Sequence, residues 1–506
     1  MMRAPGRQGS HVFHTIVGAT LAFFGLSAES HVAANDRHFP VRVSENGRYL
    51  EDAGGKPFLL HGDTAWSLIL QLSKEDAEEY LENRREKGFN AILTVLSWTA
   101  YADDPPRNKY GDAPFLTAGD FATPNEAYFA HADWVFQKAK EKGILVVLNP
   151  AVTGFADSSG WGKQIVDNGP TKCREFGRYL GNRYHRQPNI IWQAGGDRTP
   201  EVGSALEKNW LEILLGIKER APDHLWTAHW RRRTTAVDQP TFAPHMTVDN
   251  AYGGNRTYIQ TLRAYNRANP RPTFVNEAYY EENSLSAGRL ASTPQVLRAQ
   301  AYWGLLSGAT GHFFGSDHIW SFGGPRTASA RQLPRLNWRA GLDRRPSREM
   351  TFVKRLFEGR AWHELVPDQN HSVVTKGYGT FGEDDRTPGG DYVTAARTGD
   401  GKLVMAYVPS TESAQRTITV DMTKLDGAAQ ACWYNPTDGT YRAIDGSPFA
   451  NLGLRDFSTP GDNGTGANDW VLVLETGAPP PRAAAGSALN RVYALTTACG
   501  PAVRND

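Results

Sequence analysis

Hydrophobic and polar positions follow two regimes along the chain. From Phe58 onward, short apolar runs alternate with stretches whose apolar residues recur at helical spacing. The runs FLLHGD (58–63), NAILTVLSW (90–98), ILVVLNPA (144–151), NIIWQAGGD (189–197), LWTAHW (225–230), MTVDNAY (246–252), PTFVNEAYYE (272–281) and GHFFGSD (311–317) predict eight strands. Helices are predicted between most of them. SKEDAEEYLENRREKG (73–88) opens on Ser73 with Asp76 three residues on, a capping-box-like start, and stops at Gly88. Segments 125–143 and 292–308 show the same start and stop signals.

Eight strands with intervening helices predict an α/β fold, a (β/α)8 TIM barrel, over residues 35–362. One joint departs from the pattern: HWRRRTTAVDQPTFAPH, between the fifth and sixth strands, reads as loop rather than helix. A doubly wound sheet would carry an early Gly-rich phosphate turn, and none is present. After about Trp362 the pattern changes to strict alternation between Gly, Asp, Asn and Pro turns. That predicts a small all-β sandwich over 363–477, followed by a Pro/Ala-rich tail, 478–506. At the other end, Arg3 and Arg7, an apolar run over 16–26 and Val32-Ala33-Ala34 predict an export signal over 1–34 and a periplasmic or secreted protein.

Composition narrows the partners. A net charge of +1 gives no footprint for nucleic acid or a membrane surface, and the apolar run at the N-terminus is too short to span a bilayer. Three widely spaced cysteines imply no disulfide framework. Fourteen Trp residues suit a protein that stacks flat apolar faces, sugars included, although core packing explains most of them equally well.

Active sites of such barrels lie at the C-terminal ends of the strands. That rim carries Asp63 and Trp66; Trp98 and Tyr101; Asn149; Gln193 and Asp197; His229 and Trp230; Asp249 and Tyr252; Glu277, Tyr279, Tyr280 and Glu281; and Asp317. Acids, amides, imidazoles and aromatics together suit binding and hydrolysis of sugars. Glycosidic cleavage needs two facing carboxyls, one to protonate the leaving oxygen and one to attack or to activate water. Asp197 and Glu277, from the fourth and seventh strands, face each other across an eight-stranded rim. They are the catalytic candidates, Asp197 as acid/base and Glu277 in the nucleophile's position. For Asp197 to act as an acid near neutrality, burial or ionised Glu277 nearby must raise its pKa. Glu281 and Glu282 are rivals placed in the following loop.

Asp63, Trp66, Trp98, Gln193, His229, Tyr252 and Tyr280 are candidate substrate-binding residues, each with a structural role as the alternative. Arg231-Arg232-Arg233 reads as a solvated loop, or as cations favouring an acidic sugar such as a uronate. No HExxH, CxxC pair, P-loop or Gly-x-Ser-x-Gly elbow appears, so zinc, nucleotide and serine-hydrolase chemistry lack support, and nothing demands a cofactor or a metal.

FLLHGDTAW, NKYGDAPF (108–115), FGRYLGNRYHRQPNIIWQAGGD (176–197) and PTFVNEAYYE together resemble the apiosidase-like glycoside hydrolases, glycoside hydrolase family 140. The likeness spans about 40–475, and WYNPTDGTY (433–441) resembles the β domain that usually follows the barrel there. The resemblance implies a pectin-degrading enzyme that cleaves at apiose in rhamnogalacturonan-II side chains. It also implies Asp197, at the end of the GGD motif, as acid/base and Glu277 as its partner. Retention of configuration is expected by analogy, with a carboxyl separation of about 5–5.5 Å against about 6.5–9.5 Å for inversion. Two rivals remain: a barrel glycosidase of glucanase- or galactosidase-like specificity, and a non-catalytic carbohydrate-binding protein.

Overall fold

The structure is a computed structural model that describes residues 38–282, 292–326, 335–384 and 389–477. The predicted export signal and the predicted tail lie outside the described residues. Three two-residue strands, β1 (Arg42–Val43), β2 (Leu50–Glu51) and β3 (Pro57–Phe58), form a small antiparallel sheet. Then come β4 (Leu60–Thr64), β5 (Ala91–Val95), β6 (Leu145–Asn149), β7 (Ile190–Gly195), β8 (Leu225–His229), β9 (Thr234–Thr235), β10 (Asp249–Tyr252), β11 (Thr273–Glu277) and β12 (Gly311–Phe314). They lie in the order β8-β7-β6-β5-β4-β12-β11-β10-β9, parallel except for β9. The eight predicted strands are all present; six stop short of the rim end of their apolar runs, whereas β4 runs one residue past its run and β10 ends with it.

Strand parity explains the layers. Leu93, Val95, Leu145, Val147, Ile191, Phe274 and Phe313 fill the barrel interior, with Phe39, Leu50 and Phe58 of the N-terminal segment packed on them. The alternate residues Ile92, Val146, Leu148, Ile190, Trp192 and Trp226 face the helix layer. That layer includes α1 (Lys74–Glu86), α2 (Glu126–Glu141), α3 (Gly162–Tyr184), α4 (Ala205–Arg220), α5 (Tyr258–Tyr265), α6 (Pro294–Leu305) and α7 (Arg345–Glu358). Ser73 caps α1 by accepting from the Asp76 N–H at 3.2 Å, as its spacing predicts. The third predicted helix starts one residue later than its first hydroxyl: Thr293, not Ser292, caps α6.

The seam of the barrel falls between β8 and β10, where the sequence predicts loop. No helix forms there; β9 and two single turns, Ala236–Asp238 and Ala243–His245, take its place. The seam is closed by side chains and loop backbone. Val248 N–H donates to the Trp226 carbonyl at 3.0 Å, Thr247 Oγ1 accepts from Trp226 N–H at 2.8 Å, and the Asn250 amide donates to the Ala228 carbonyl.

Nine further strands build the C-terminal β structure: β13 (Leu365–Pro367), β14 (Val374–Lys376), β15 (Thr394–Thr398), β16 (Leu403–Val408), β17 (Thr417–Asp421), β18 (Ala429–Tyr434), β19 (Tyr441–Ala443), β20 (Leu454–Ser458) and β21 (Trp470–Thr476). They form a sheet β13-β15-β16-β21-β18-β19 over a sheet β14-β17-β20. Alternation divides the larger sheet's side chains. Met405, Tyr407, Tyr434, Val471 and Val473 pack on Tyr302, Trp303, Met350 and Phe357 of the barrel helices. Val404, Ala406, Trp433, Leu472 and Leu474 pack on Ile418, Val420 and Phe457 of the second sheet.

A buried ion network pins the two parts together. Arg298 of α6 donates to both oxygens of Asp469 at 3.0 and 2.7 Å and to Glu349 of α7 at 2.7 Å, with all three side chains out of contact with solvent. The Tyr407 hydroxyl donates to Asp469 at 3.1 Å. Removing the cation leaves Asp469 buried without a counter-charge, while Glu349 keeps Arg345 at 2.6 Å, a change that costs about 3–5 kcal/mol. Arg298→Ala is therefore expected to lower the unfolding free energy measured in urea by that amount while moving both halves in one transition. A loss below about 1 kcal/mol would show that the network is not needed.

Candidate active site

Strand β7 ends in the two glycines that lead to Asp197. Gly195 and Gly196 have φ of +85° and +124°, and a Cβ on either would lie 2.5–2.6 Å from the His229 carbonyl, the Trp230 ring or Val152. Only glycine fits both the backbone angle and the space. Gly196 N–H donates to the His229 carbonyl at 2.6 Å, and the Gly195 carbonyl accepts from Thr153 N–H and the Asn149 amide at 3.0 and 2.8 Å. Asp197 itself has φ +59°, so the turn swings its carboxyl back over the barrel mouth.

There it meets Glu277, the last residue of β11. The two acids and His229, at the end of β8, each present an atom within 4.8 Å of the others. His229 Nε2 lies 3.3 Å from Glu277 Oε2 and 3.6 Å from Asp197 Oδ1. The Tyr252 hydroxyl, at the end of β10, donates to Asp197 Oδ1 at 2.8 Å and is also in hydrogen-bond contact with Glu277. The Tyr280 hydroxyl accepts from Trp66 Nε1 at 2.7 Å and reaches Glu277. His229 is held flat against Trp66, 5.3 Å between ring centroids, with the Tyr252 ring edge-on at 4.4 Å. Burial lowers its pKa, which keeps the imidazole neutral.

The two carboxyls differ in depth: the Asp197 side chain is 36% exposed and that of Glu277 14%. Glu277 is pushed up to about 8, by burial first and then by the charge of Asp197, against the pull of Arg232 and the hydroxyls of Tyr280 and Tyr252. The raised carboxyl is thus Glu277. The sequence expectation placed it at Asp197; the difference in depth reverses it. Two carboxyls this close do not ionise together, so the pair keeps one proton up to about pH 8.

The cleft around them has a volume of about 340 Å³ and is lined by Trp66, Trp98, Tyr101, Val152, Phe155, Gly196, Asp197, His229, Arg232, Tyr252, Glu277, Tyr280, Asp317 and Trp320. Five of the seven predicted substrate-binding residues are therefore on its wall: Trp66, Trp98, His229, Tyr252 and Tyr280. Two are not. Asp63 has the opposite parity to Leu60 and Gly62, so it points out of the barrel, where it pairs with Arg84 at 3.3 Å and accepts from the Tyr80 hydroxyl at 2.8 Å. Gln193 lies inside the barrel below the acids, where it donates to Asn276 Oδ1 at 2.8 Å. The rival acids are structural: buried Glu281 accepts from Arg344 at 2.5 Å and from Ser316 at 3.0 Å, and Glu282 pairs with His318 at 3.0 Å. A larger depression of about 820 Å³ is walled by the 106–125 loop and by 161–172 of α3, away from the strand-end acids.

Sequence reasoning did not find Phe155 and Trp320 on the cleft wall; it placed Asp317 on the rim without a role, and it offered the three-arginine run without choosing Arg232. The half-buried Arg232 guanidinium lies over the rings of Tyr279 and Tyr252, 5.2 and 5.6 Å from their centroids, and faces the cleft. Among the described residues no carboxylate lies within 4.0 Å of it. The run of three arginines was the available signal, but only the fold shows which one turns inward. Asp317 accepts from Trp320 Nε1 at 3.3 Å and from Arg326 at 3.0 Å, which fixes one end of the cleft.

Asp197, His229 and Glu277 are also a donor set that fits a divalent cation, one nitrogen and two carboxylates. The Tyr252 hydroxyl joins the two carboxyls, whereas both ring nitrogens of His229 are buried without a hydrogen-bond partner among the described residues.

A barrel with two facing strand-end carboxyls in an aromatic-lined cleft is the working part of a glycosidase. Comparison with known proteins agrees. Residues 44–364 match the family described as "Apiosidase-like, catalytic domain", and the chain belongs to that family; residues 380–475 match the "Putative collagen-binding domain of a collagenase". Among solved structures, a glycoside hydrolase is 26% identical, with a TM-score of 0.71, over 88% of this chain and 98% of its own. A glycoside hydrolase family 5 protein from Bacteroides vulgatus is 23% identical, with a TM-score of 0.71, over 87% and 94% of the two chains, and shares the fold. No curated protein matches. The protein is a glycoside hydrolase of the apiosidase-like family.

The shared proton predicts a pH profile. Glycosidic cleavage by a carboxyl pair needs one protonated and one ionised group, so kcat/KM is expected to fall about tenfold per pH unit above roughly pH 8 as the last proton leaves. A rate that stays level to pH 10 would contradict the pair as the proton source.

Proposed function

We propose that the protein is an exported glycosidase that cleaves pectic polysaccharide at apiose in rhamnogalacturonan-II side chains, with retention of configuration. The observation that carries the catalytic part is the Asp197–Glu277 pair, whose nearest oxygens lie within 4.8 Å in one cleft. That spacing is nearer the about 5–5.5 Å between the carboxyls of retaining enzymes than the about 6.5–9.5 Å of inverting ones, which supports retention. Glu277 then attacks the anomeric carbon while Asp197 protonates the leaving oxygen; afterwards Asp197 takes a proton from the water that releases the sugar.

The depth of the two acids sets these roles. Asp197, at the more open side, is reachable by a leaving group, whereas Tyr280 and Arg232 around Glu277 favour its anion. In the free enzyme the proton rests on Glu277. Tyr252 accepts it there while donating its own to Asp197, so a shift along this bridge leaves Glu277 ionised and Asp197 protonated, with charge and atoms balanced. Arg232 supports an acidic polysaccharide as substrate: its half-buried guanidinium is on the cleft wall, with no carboxylate within 4.0 Å among the described residues, and is matched by the carboxylate of a uronate.

The test is release of sugar from rhamnogalacturonan-II and its isolated side chains by the mature protein. Asp197→Ala and Glu277→Ala are expected to lose at least about 10³-fold in kcat, and Tyr252→Phe about 10²-fold. Arg232→Leu is expected to raise KM on the acidic polymer. Release of another sugar from another glycan would replace the apiose reading and leave the pair in place. Tight binding without turnover would establish the non-catalytic alternative.

A further inference from the structure

The segment 152–160, which follows β6, carries an aromatic side chain that nothing in the protein's own packing accounts for. Phe155 is 60% exposed, yet it lines the cleft that holds the two acids. An isolated exposed aromatic is ordinary on a loose surface loop; this loop is not loose. Thr153 is tied to the strand that carries Asp197, its N–H donating to the Gly195 carbonyl at 3.0 Å and its hydroxyl to the Gly196 carbonyl at 2.9 Å. The loop closes on itself where Trp161 N–H donates to the Val152 carbonyl at 2.7 Å and Ala156 N–H donates to Ser159 Oγ at 3.0 Å. Trp98 Nε1, from the loop after the neighbouring strand β5, donates to the Ser159 carbonyl at 2.7 Å. Arg198, the residue after Asp197, pairs with Asp157 at 2.8 Å.

The turn that aims the acid and the loop that displays Phe155 are therefore one rigid unit. We infer that Phe155 is a sugar platform next to the scissile bond, a specificity-determining residue that selects substrates with a further sugar on that side. Stacking a pyranose face on the ring buries apolar C–H surface on both partners, and the loop's order is already supplied by its hydrogen bonds, so little entropy is lost on binding. This rests on the glycosidase reading and adds that the enzyme prefers an oligosaccharide to a single-sugar glycoside.

The test compares wild type, Phe155→Ala and Phe155→Trp on plant cell-wall oligosaccharides of increasing length and on the nitrophenyl glycoside of whichever sugar the wild type releases. Because the substrate is the glycan the wild type cleaves, failure on rhamnogalacturonan-II overturns only the apiose assignment. The expected result is a KM about tenfold higher for Phe155→Ala on the oligosaccharide, an unchanged kcat, unchanged kinetics on the nitrophenyl glycoside, and recovery in Phe155→Trp. Equal losses on both substrates would make Phe155 a structural residue, and no loss on either would make it a bystander. Either outcome overturns the proposal, as does a wild type that hydrolyses only single-sugar glycosides.

Discussion

Two carboxyl groups held side by side in a partly buried cleft cannot both be charged, and the site is organised around that constraint. The repulsion between Asp197 and Glu277, sharpened by the burial of Glu277, keeps one proton in the cleft up to about pH 8. The surrounding groups manage this arrangement without abolishing it. Tyr252 joins the two acids, Tyr280 and Arg232 draw Glu277 toward its anion, and His229, kept neutral by burial, adds a polar edge without a second full cation.

Holding like charges together needs a stiff scaffold, which the fold supplies from several strands. Asp197 is fixed by a turn that only two glycines allow, and that turn is hydrogen-bonded to β8 and to the loop after β6. Glu277 stands directly on β11, and Tyr252 is its neighbour in register on β10. The C-terminal sheets brace the opposite side of the helix layer: one sheet face and the Arg298–Asp469–Glu349 network make them continuous with the barrel core. The β structure is thus a brace on α6 and α7, the helices that flank β12.

Much of this was legible in the sequence. The eight barrel strands, the helix caps at Ser73 and Asn125, the missing helix before β10 and the two catalytic candidates all follow from periodicity, turn residues and the rule that barrel sites lie at strand ends. What was not legible depends on side-chain direction and depth. Asp63 lies at a strand end like the others, but parity turns it toward Arg84; counting from the inward-facing Leu60 would have found this. Gln193 has the correct parity but lies too low in the barrel. The depth of Glu277 relative to Asp197, which decides where the proton rests, has no signature in one dimension. Neither does the inward turn of Arg232 among three arginines, nor the display of Phe155 on a loop.

The division of labour between the two acids is the central claim, and covalent trapping tests it most directly. A 2-fluoro glycoside of the released sugar, carrying a good leaving group, should accumulate a glycosyl-enzyme that intact mass and peptide mapping place on Glu277. A label on Asp197, or turnover through an inverted product with no trapped intermediate, would contradict the account.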